Sequence, residues 1–346
     1  MINAEATPRE RGWRRLLPAL ALFLFAPAVP QLRAVLPIEQ TLLLLVPALA
    51  ACAWLAWNRG GRLWMAVAWT LLAIIVLSRP MAGGAAFVAF ARGWALLLCA
   101  AFGAIGLVAR ARPFFGRALG ALAVCGVGTV LALSVAGASR TRVERVISAE
   151  LSDRVDESVA SLHARTSTPD WQDLQQKNPD GAKALTQMFD EVEAQIRDVA
   201  PFGQQLFPAV LLMESLAALG LAWSLHHRLS RSRLGPPLAP LREFRFEDQL
   251  IWGVIAGLVV MLVPRLAAWR GLGWNLLLFF GALYALRGLG VMLWFLVAPG
   301  HWAGMALVVA VVLLWPLWSV PLVIGLSDSR FDWRRRVRPS SEGKTQ

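Results

Sequence analysis

The sequence has little of the chemistry that enzymes and metal sites need. Its three cysteines, Cys52, Cys99 and Cys125, each lie alone within an apolar run, and none has the CxxC spacing of a zinc site or a redox pair. HExxH, GxSxG and GxxxxGK[ST] do not occur, so the usual anchors of metalloproteases, hydrolases and P-loop enzymes are missing. His226 and His227 lack a third metal ligand nearby. We therefore expect no catalytic residue, cofactor or metal site.

Charge is also scarce, because only 16% of the residues are charged while 57% are hydrophobic. The formal net charge of +12 is unevenly placed: residues 140–200 contain eight Lys/Arg and twelve Asp/Glu, which leaves +16 for the remainder. That positive charge lies in short clusters beside apolar runs, as membrane topology and anionic headgroups favour. No aromatic-interleaved basic patch suggests nucleic acid as a partner.

Apolar runs of about 20 residues, the length that spans a bilayer, are abundant. They predict an all-α fold, a polytopic transmembrane helical bundle of eight or nine spans. The nine segments are roughly 16–36, 38–57, 63–78, 85–109, 114–138, 204–225, 250–268, 274–297 and 302–326.

Arginines in the short loops orient these spans by the positive-inside rule. The N-terminal MINAEATPRERGWRR has no credible cleavage site and is placed in the cytoplasm, as are the loops that fall on its side. Fourteen arginines then lie inside and four in the opposite short loops. The inside set is Arg9, Arg11, Arg14, Arg15, Arg59, Arg62, Arg110, Arg112, Arg117, Arg228, Arg231, Arg233, Arg242 and Arg245. We expect a multi-pass protein of a bacterial cytoplasmic (inner) membrane.

The final segment breaks this pattern, since nine full crossings would put the arginines from Arg334 to Arg338 outside. Pro316 and Pro321 interrupt it, and each removes a backbone donor. A segment that enters and returns to the same face would keep the tail in the cytoplasm, provided that neighbouring helices shield it. Both eight and nine spans stay open, and we favour the cytoplasmic tail.

An acidic, amphipathic insert at 140–200 falls outside in this arrangement. Apolar residues recur every three or four positions over 140–165 and 182–200, which predicts two helices that pack as an antiparallel hairpin. Thr168 and Asn178 precede prolines and are candidate N-caps. The insert either joins two spans mechanically or serves as a docking site or lid.

The sequence thus divides into four regions. Residues 1–139 form N-terminal transmembrane helices, 140–200 the extracytoplasmic hairpin, 201–327 C-terminal transmembrane helices, and 328–346 a basic tail.

Three ionisable residues within spans are the best candidates for a site, because charge at membrane depth is costly unless it is paired. These are Glu214, Arg92 and Arg287. Tyr284 and Asn275 share the Arg287 segment, and Tyr284 lies three residues before Arg287, on the same helix face. The set could bind a polar ligand, with Glu214 and Arg287 neutralising each other when empty. Alternatively, the pair only fixes helix packing, and Arg92 extends to the membrane boundary.

Small residues recur at four-residue spacing, which favours close helix packing in lipid. The pairs include Gly116 with Gly120, Gly253 with Gly257, and Gly281 with Ala285.

The C-terminal third resembles the YybS-like family of uncharacterised bacterial membrane proteins. The likeness lies in NLLLFFGALYALRGLGVMLWFL (275–296) and IGLSDSRFDWRRR (324–336), through Arg287-Gly288, Gly325, Asp328 and Phe331. It covers roughly 241–338, and Arg287 stands where the family more often has an amide. That family is distantly similar to the substrate-capturing subunits of energy-coupling-factor transporters, which implies ligand binding and a separate energising module by analogy of fold.

Three classes of function follow. We expect first a small-molecule-binding, transport-related protein, and as the alternative a non-catalytic scaffold or assembly factor that recruits partners through the hairpin. A lipid-modifying enzyme with scattered Arg, Asp and Glu groups comes third.

Overall fold

The computed structural model describes residues 13, 16–25, 38–110, 112–166, 168–230, 232–296 and 319–336. Within these residues the regular structure is helical and contains no strand, which confirms the all-α prediction. The chain divides into two compact units. The first comprises Met1–Phe207 with Leu211–Pro237, and the second comprises Pro208–Val210 with Leu238–Gln346.

The first unit contains eight helices in the part that the structure describes. They are α1 (Leu16–Phe25), α2 (Ile38–Trp57), α3 (Leu63–Ser78), α4 (Ala85–Val108), α5 (Phe114–Val135), α6 (Arg140–Thr166), α7 (Pro169–Lys177) and α8 (Pro179–Leu229). In α8 three residues, Pro208–Val210, belong to the second unit.

The stretch 140–200 is helical, and α6 packs against α8 within it. Val155 and Val159 of α6 pack against Ile196 of α8, with Phe189 and Val192 beside them. This narrow apolar seam is what an amphipathic helix needs to bury. The side of the membrane on which the hairpin lies stays a prediction.

Both predicted helix caps are present at the tip of the hairpin. The Trp171 amide donates to Thr168 Oγ1 over 3.4 Å at the start of α7, and the Gly181 amide donates to Asn178 Oδ1 over 3.0 Å at the start of α8. Each cap satisfies a helix N–H group that has no partner within its own helix.

The second unit is built on α9 (Ile251–Leu262), α10 (Arg270–Leu296), α11 (Ser319–Phe331) and the short α12 (Trp333–Arg336). Three 3₁₀ turns accompany them at Leu241–Glu243, Asp248–Leu250 and Pro264–Trp269. The predicted tail therefore begins inside a helix, because Asp328 belongs to α11.

Helices α10 and α11 cross at backbone contact. A Cβ atom added at Gly288 would overlap the carbonyl oxygen of Pro321, and one at Gly325 would overlap that of Tyr284. Gly253 of α9 likewise lies against the ring of Phe280. Small residues thus set the close packing of this unit, as expected where helices associate in lipid.

Five helices among the described residues are long and apolar enough to cross a membrane: Gln40–Trp57, Ala85–Val108, Phe114–Val135, Pro201–Leu229 and Pro264–Leu296. Three apolar helices are shorter: Leu16–Phe25, Leu63–Ser78 and Asp248–Leu262. The total of eight or nine spans stays a prediction. Residues 26–36 of the first predicted segment and 302–318 of the last one lie outside the described residues.

One predicted segment, 250–268, is divided in the structure. Helix α9 ends at Leu262, and Val263 adopts an extended conformation before a 3₁₀ turn that begins at Pro264. A residue before proline is disfavoured in the helical region, which explains the break.

Candidate functional site

A polar pair is buried inside the first unit. Glu214 of α8 is 5% exposed and Gln40 of α2 is 2% exposed. The Gln40 side-chain amide donates to Glu214 Oε2 over 2.7 Å. The other two oxygens, Glu214 Oε1 and Gln40 Oε1, are buried without a hydrogen-bond partner among the described residues. The pair therefore offers two acceptor oxygens to a donor group.

Aromatic side chains surround the next residue on α8. Ser215 is fully buried and accepts a hydrogen bond from Trp94 Nε1 of α4 over 3.0 Å. Phe90 lies 6.5 Å from the Trp94 ring and 6.4 Å from Phe207. Ser215, the residue after Glu214 on α8, thus bonds to an aromatic layer, and Glu214 itself is buried, where an unpartnered charge is disfavoured.

The hairpin is fixed to the start of α4. Glu150 of α6 accepts a hydrogen bond from the Gly84 amide over 2.8 Å and pairs with Arg154 over 2.9 Å. The Arg154 guanidinium lies 4.6 Å from the centre of the Phe87 ring, a cation–π contact. These contacts place α6 over the aromatic layer.

The second unit holds a charge cluster around Arg287. Arg287 Nε donates to Asp328 Oδ2 over 2.9 Å, and Arg287 Nη1 donates to Asp248 Oδ1 over 2.7 Å. Arg334 also donates to Asp328 Oδ2, over 2.8 Å. Arg287 and Asp328 are buried, whereas the Asp248 side chain is 64% exposed. The charge of Arg287 is therefore matched within its own unit and does not need Glu214.

Asp328 stays ionised because two guanidinium groups face it. Burial alone would raise the pKa of this carboxyl, but hydrogen bonds and charge from Arg287 and Arg334 hold the pKa below its ordinary value.

Tyr284 lies on the same side of α10 as Arg287, as the three-residue spacing predicts. The Tyr284 ring is 5.0 Å from the Phe246 ring, and the Arg287 guanidinium is 5.4 Å from that ring. Tyr284 is fully buried, and its hydroxyl has no hydrogen-bond partner among the described residues.

Asn275 and Arg92 make contacts to the main chain. Asn275 accepts a hydrogen bond from the Ala209 amide over 2.8 Å and donates to the Gly271 carbonyl over 2.7 Å. Arg92 donates to the carbonyl of Arg79 over 2.6 Å and is half-buried. Both contacts are structural, and a ligand-binding role for these residues stays a prediction.

Several polar residues escaped sequence reasoning. Gln40 carries no charge, so the criterion of an ionisable residue within a span does not select it. Asp248 and Arg334 lie in loops or at helix ends, where a charge is not unusual. Asp328 follows the last apolar run, and the sequence marks it only through the family likeness. A search for any polar side chain with strong hydrogen-bonding capacity near an apolar run would have found Gln40.

Long apolar helices that bury a carboxyl, an amide and a paired arginine define a polytopic helical membrane protein. The chain belongs to the family described as predicted membrane protein (DUF2232), whose family model matches residues 20–329. Comparison with curated proteins gave no match, and neither did comparison with solved structures. The family supports the expected assignment to an uncharacterised family of membrane proteins.

Proposed function

We propose that the protein is a small-molecule-binding, transport-related membrane protein and not an enzyme, with Glu214 and Gln40 as the centre of its site. The carrying observation is the pair of buried acceptor oxygens that no donor reaches in the part of the chain that the structure describes. A buried acceptor left without a hydrogen bond costs about 1–3 kcal/mol. A small polar ligand with an ammonium or N–H group would supply the missing donor.

The depth of the site supports this proposal. Trp94, which bonds Ser215 beside Glu214, lies ten residues after Gly84 at the start of α4. At 1.5 Å per residue this is ~15 Å, about half of the hydrocarbon thickness. Transporters commonly bind their substrates near this midplane.

The hairpin supports a role in ligand capture. Glu150 and Arg154 join its base to α4, directly above Phe87. In the orientation that the arginines predict, this is the outer end of the unit. The hairpin would then cover the route to Glu214 from outside. The YybS-like proteins that this chain resembles are in turn distantly similar to the substrate-capturing subunits of energy-coupling-factor transporters, which work with a separate energising module. A partner of that kind is therefore a further part of the proposal.

The test is ligand-induced thermal stabilisation of the full-length protein in lipid nanodiscs, across a panel of small amines, amino acids and amide-containing metabolites. At least one compound is expected to stabilise the wild type. Glu214→Gln should lose this shift for a cationic ligand, because the amide keeps the shape but removes the negative charge. Glu191→Gln, the same change at an exposed position of α8, should keep it. No stabilising compound, or equal shifts in Glu214→Gln and wild type, would count against the proposal.

A scaffold role is the second candidate, and the cluster of the second unit favours it. The two guanidinium groups of Arg287 and Arg334 are matched by the two carboxylates of Asp328 and Asp248, so this cluster leaves no net charge that needs a ligand. Crosslinking from the exposed face of the hairpin separates the two functions. Capture of one defined partner, together with normal growth of a Glu214→Leu strain, would favour the scaffold.

A further inference from the structure

Two arginines of the first unit converge on one carbonyl oxygen. Arg59, in the turn after α2, and Arg117, in the first turn of α5, both donate to the carbonyl of Leu234. The Leu234 amide in turn donates to His227 Nε2 over 3.1 Å, which fixes the carbonyl in place. Arg117 is 1% exposed, and its guanidinium lies 5.4 Å from the centre of the Trp223 ring.

This cluster has no negative charge of its own. Every hydrogen bond that the side chains of Arg59, Arg110 and Arg117 make goes to a main-chain carbonyl, and none of the three pairs with a carboxylate in the part of the chain that the structure describes. Arg59 Nη2 and Arg117 Nε are buried donors without a partner there. Like charges held this close repel one another, so an anion at this point would be stabilising.

An apolar groove of about 630 Å³ leads to the same end of the unit. It lies between α2, α3 and α4, and its lining includes Pro47, Trp54, Thr70, Cys99, Gly103 and Leu107. Thr70 Oγ1, one of its few polar atoms, is already bonded to Trp54 Nε1 over 2.7 Å. The lining runs along α2 from Pro47 to Asn58. That distance is ~16 Å along a helix, about the depth of one leaflet.

The groove and the arginines meet through two helices. Asn58 lines the groove, and Arg59 follows it. Leu107 of α4 also lines the groove, and its carbonyl accepts a hydrogen bond from Arg110 Nε over 3.1 Å. The Arg110 carbonyl accepts from Arg117 Nη2 over 2.7 Å. Arg110 is exposed and Arg59 half-buried, so these two form the accessible face and Arg117 lies behind them.

We propose that this is a binding site for one anionic phospholipid. The phosphate rests on Arg59 and Arg110 in front of Arg117, and an acyl chain occupies the groove. A groove one leaflet deep that ends at a cluster of cations matches an amphiphile with an anionic head. A free anion would bind at the cations but would not occupy the apolar groove. Juxtamembrane arginines attract anionic headgroups in general. The converging geometry makes this a defined site.

The test is native mass spectrometry of the full-length protein in detergent with dioleoyl-phosphatidylglycerol, dioleoyl-phosphatidylcholine or sodium phosphate as the probe. The wild type should retain phosphatidylglycerol in preference to phosphatidylcholine, and phosphate should not displace it. Arg59→Gln/Arg110→Gln should weaken phosphatidylglycerol binding by at least about tenfold, because two charge-assisted contacts are lost. Arg62→Gln/Arg112→Gln removes the same charge from the same two loops and should keep the binding.

The groove has a separate test that leaves the arginines intact. A side chain at Gly103 would enter open space and fill part of the groove, so Gly103→Leu should weaken binding of the long-chain lipid. Gly126→Leu, at an equally open position of α5, is the matched control. If both arginine double variants lost phosphatidylglycerol binding equally, general surface charge would explain the binding and the proposal would be overturned. Unchanged binding in Gly103→Leu, or displacement by phosphate alone, would do the same.

Discussion

At Asp328, one carboxylate oxygen accepts hydrogen bonds from two buried guanidinium groups. The arrangement connects three parts of the second unit, because Arg287 comes from α10, Asp328 from α11 and Arg334 from α12. Arg334 also donates to the carbonyls of Arg242 and Phe244. A single acidic side chain therefore fixes the tail arginine against two earlier segments.

Replacement of this carboxylate should be costly. Asp328→Asn leaves Arg287 and Arg334 buried with one counter-charge removed, and we expect a loss of about 3–5 kcal/mol in the free energy of unfolding. Asp332→Asn is the matched control, since Asp332 pairs with Arg245 in a partly exposed bridge of at most about 1 kcal/mol. Unfolding in mixed detergent micelles measures both. Similar losses in the two variants would contradict the role given to Asp328.

The same residue predicts a dependence on pH. Its pKa is lower in the folded protein than in the unfolded chain, so its contribution is complete above the unfolded pKa near 3.9 and is lost as pH falls through the folded value. The difference in unfolding free energy between the wild type and Asp328→Asn should be constant from pH 7 to about 5 and decrease below about 4. A difference in unfolding free energy that increases as the pH falls would contradict this prediction.

Among the helices, the crossing of α10 and α11 tolerates the least change. Gly288 and Gly325 each face main-chain atoms of the other helix. Main-chain atoms cannot turn aside as a flexible side chain can, so an added methyl group must separate the helices. Separation would also pull Arg287 away from Asp328, since the two residues lie on these helices.

Gly288→Ala should therefore destabilise the second unit by more than about 2 kcal/mol, although alanine is the better helix former. Gly281→Ala, two turns earlier on α10, meets Leu322 only at an ordinary 3.9 Å and should be neutral or stabilising. Thermal unfolding followed by helical circular dichroism compares the two. Equal stability of both variants would show that the helices are not held at backbone contact.

For the whole molecule, the arginine distribution predicts which ends face the cytoplasm. In a Lys177→Cys variant the new thiol lies on the hairpin, where the Lys177 side chain is 73% exposed, and a membrane-impermeant maleimide should label it in intact cells. Arg112→Cys, at an exposed loop position, should react only after permeabilisation. The native cysteines lie within spans and give a low background. Labelling in the reverse order would contradict the predicted orientation and, with it, the lid role proposed for the hairpin.

Sequence reasoning succeeded where one local pattern decides the outcome. The seam of Val155, Val159 and Ile196 and the caps at Thr168 and Asn178 follow from periodicity and capping alone. It found Glu214 and Arg287 because charge within an apolar run is conspicuous. The prediction pairs them with each other, whereas Glu214 bonds to Gln40, and Arg287 bonds to Asp248 and Asp328. Distances between segments far apart in the chain are not contained in a one-dimensional pattern.

The sequence by itself determined that this chain is helical, apolar and suited to a membrane, since the length and period of its apolar runs leave little alternative. Tertiary structure alone decided which polar groups meet. Gln40 and Glu214 are separated by 174 residues, and Arg287 and Asp328 by 41. Bringing such groups within 3 Å depends on how helices cross, and at Gly288 and Gly325 that crossing is set by the absence of a side chain.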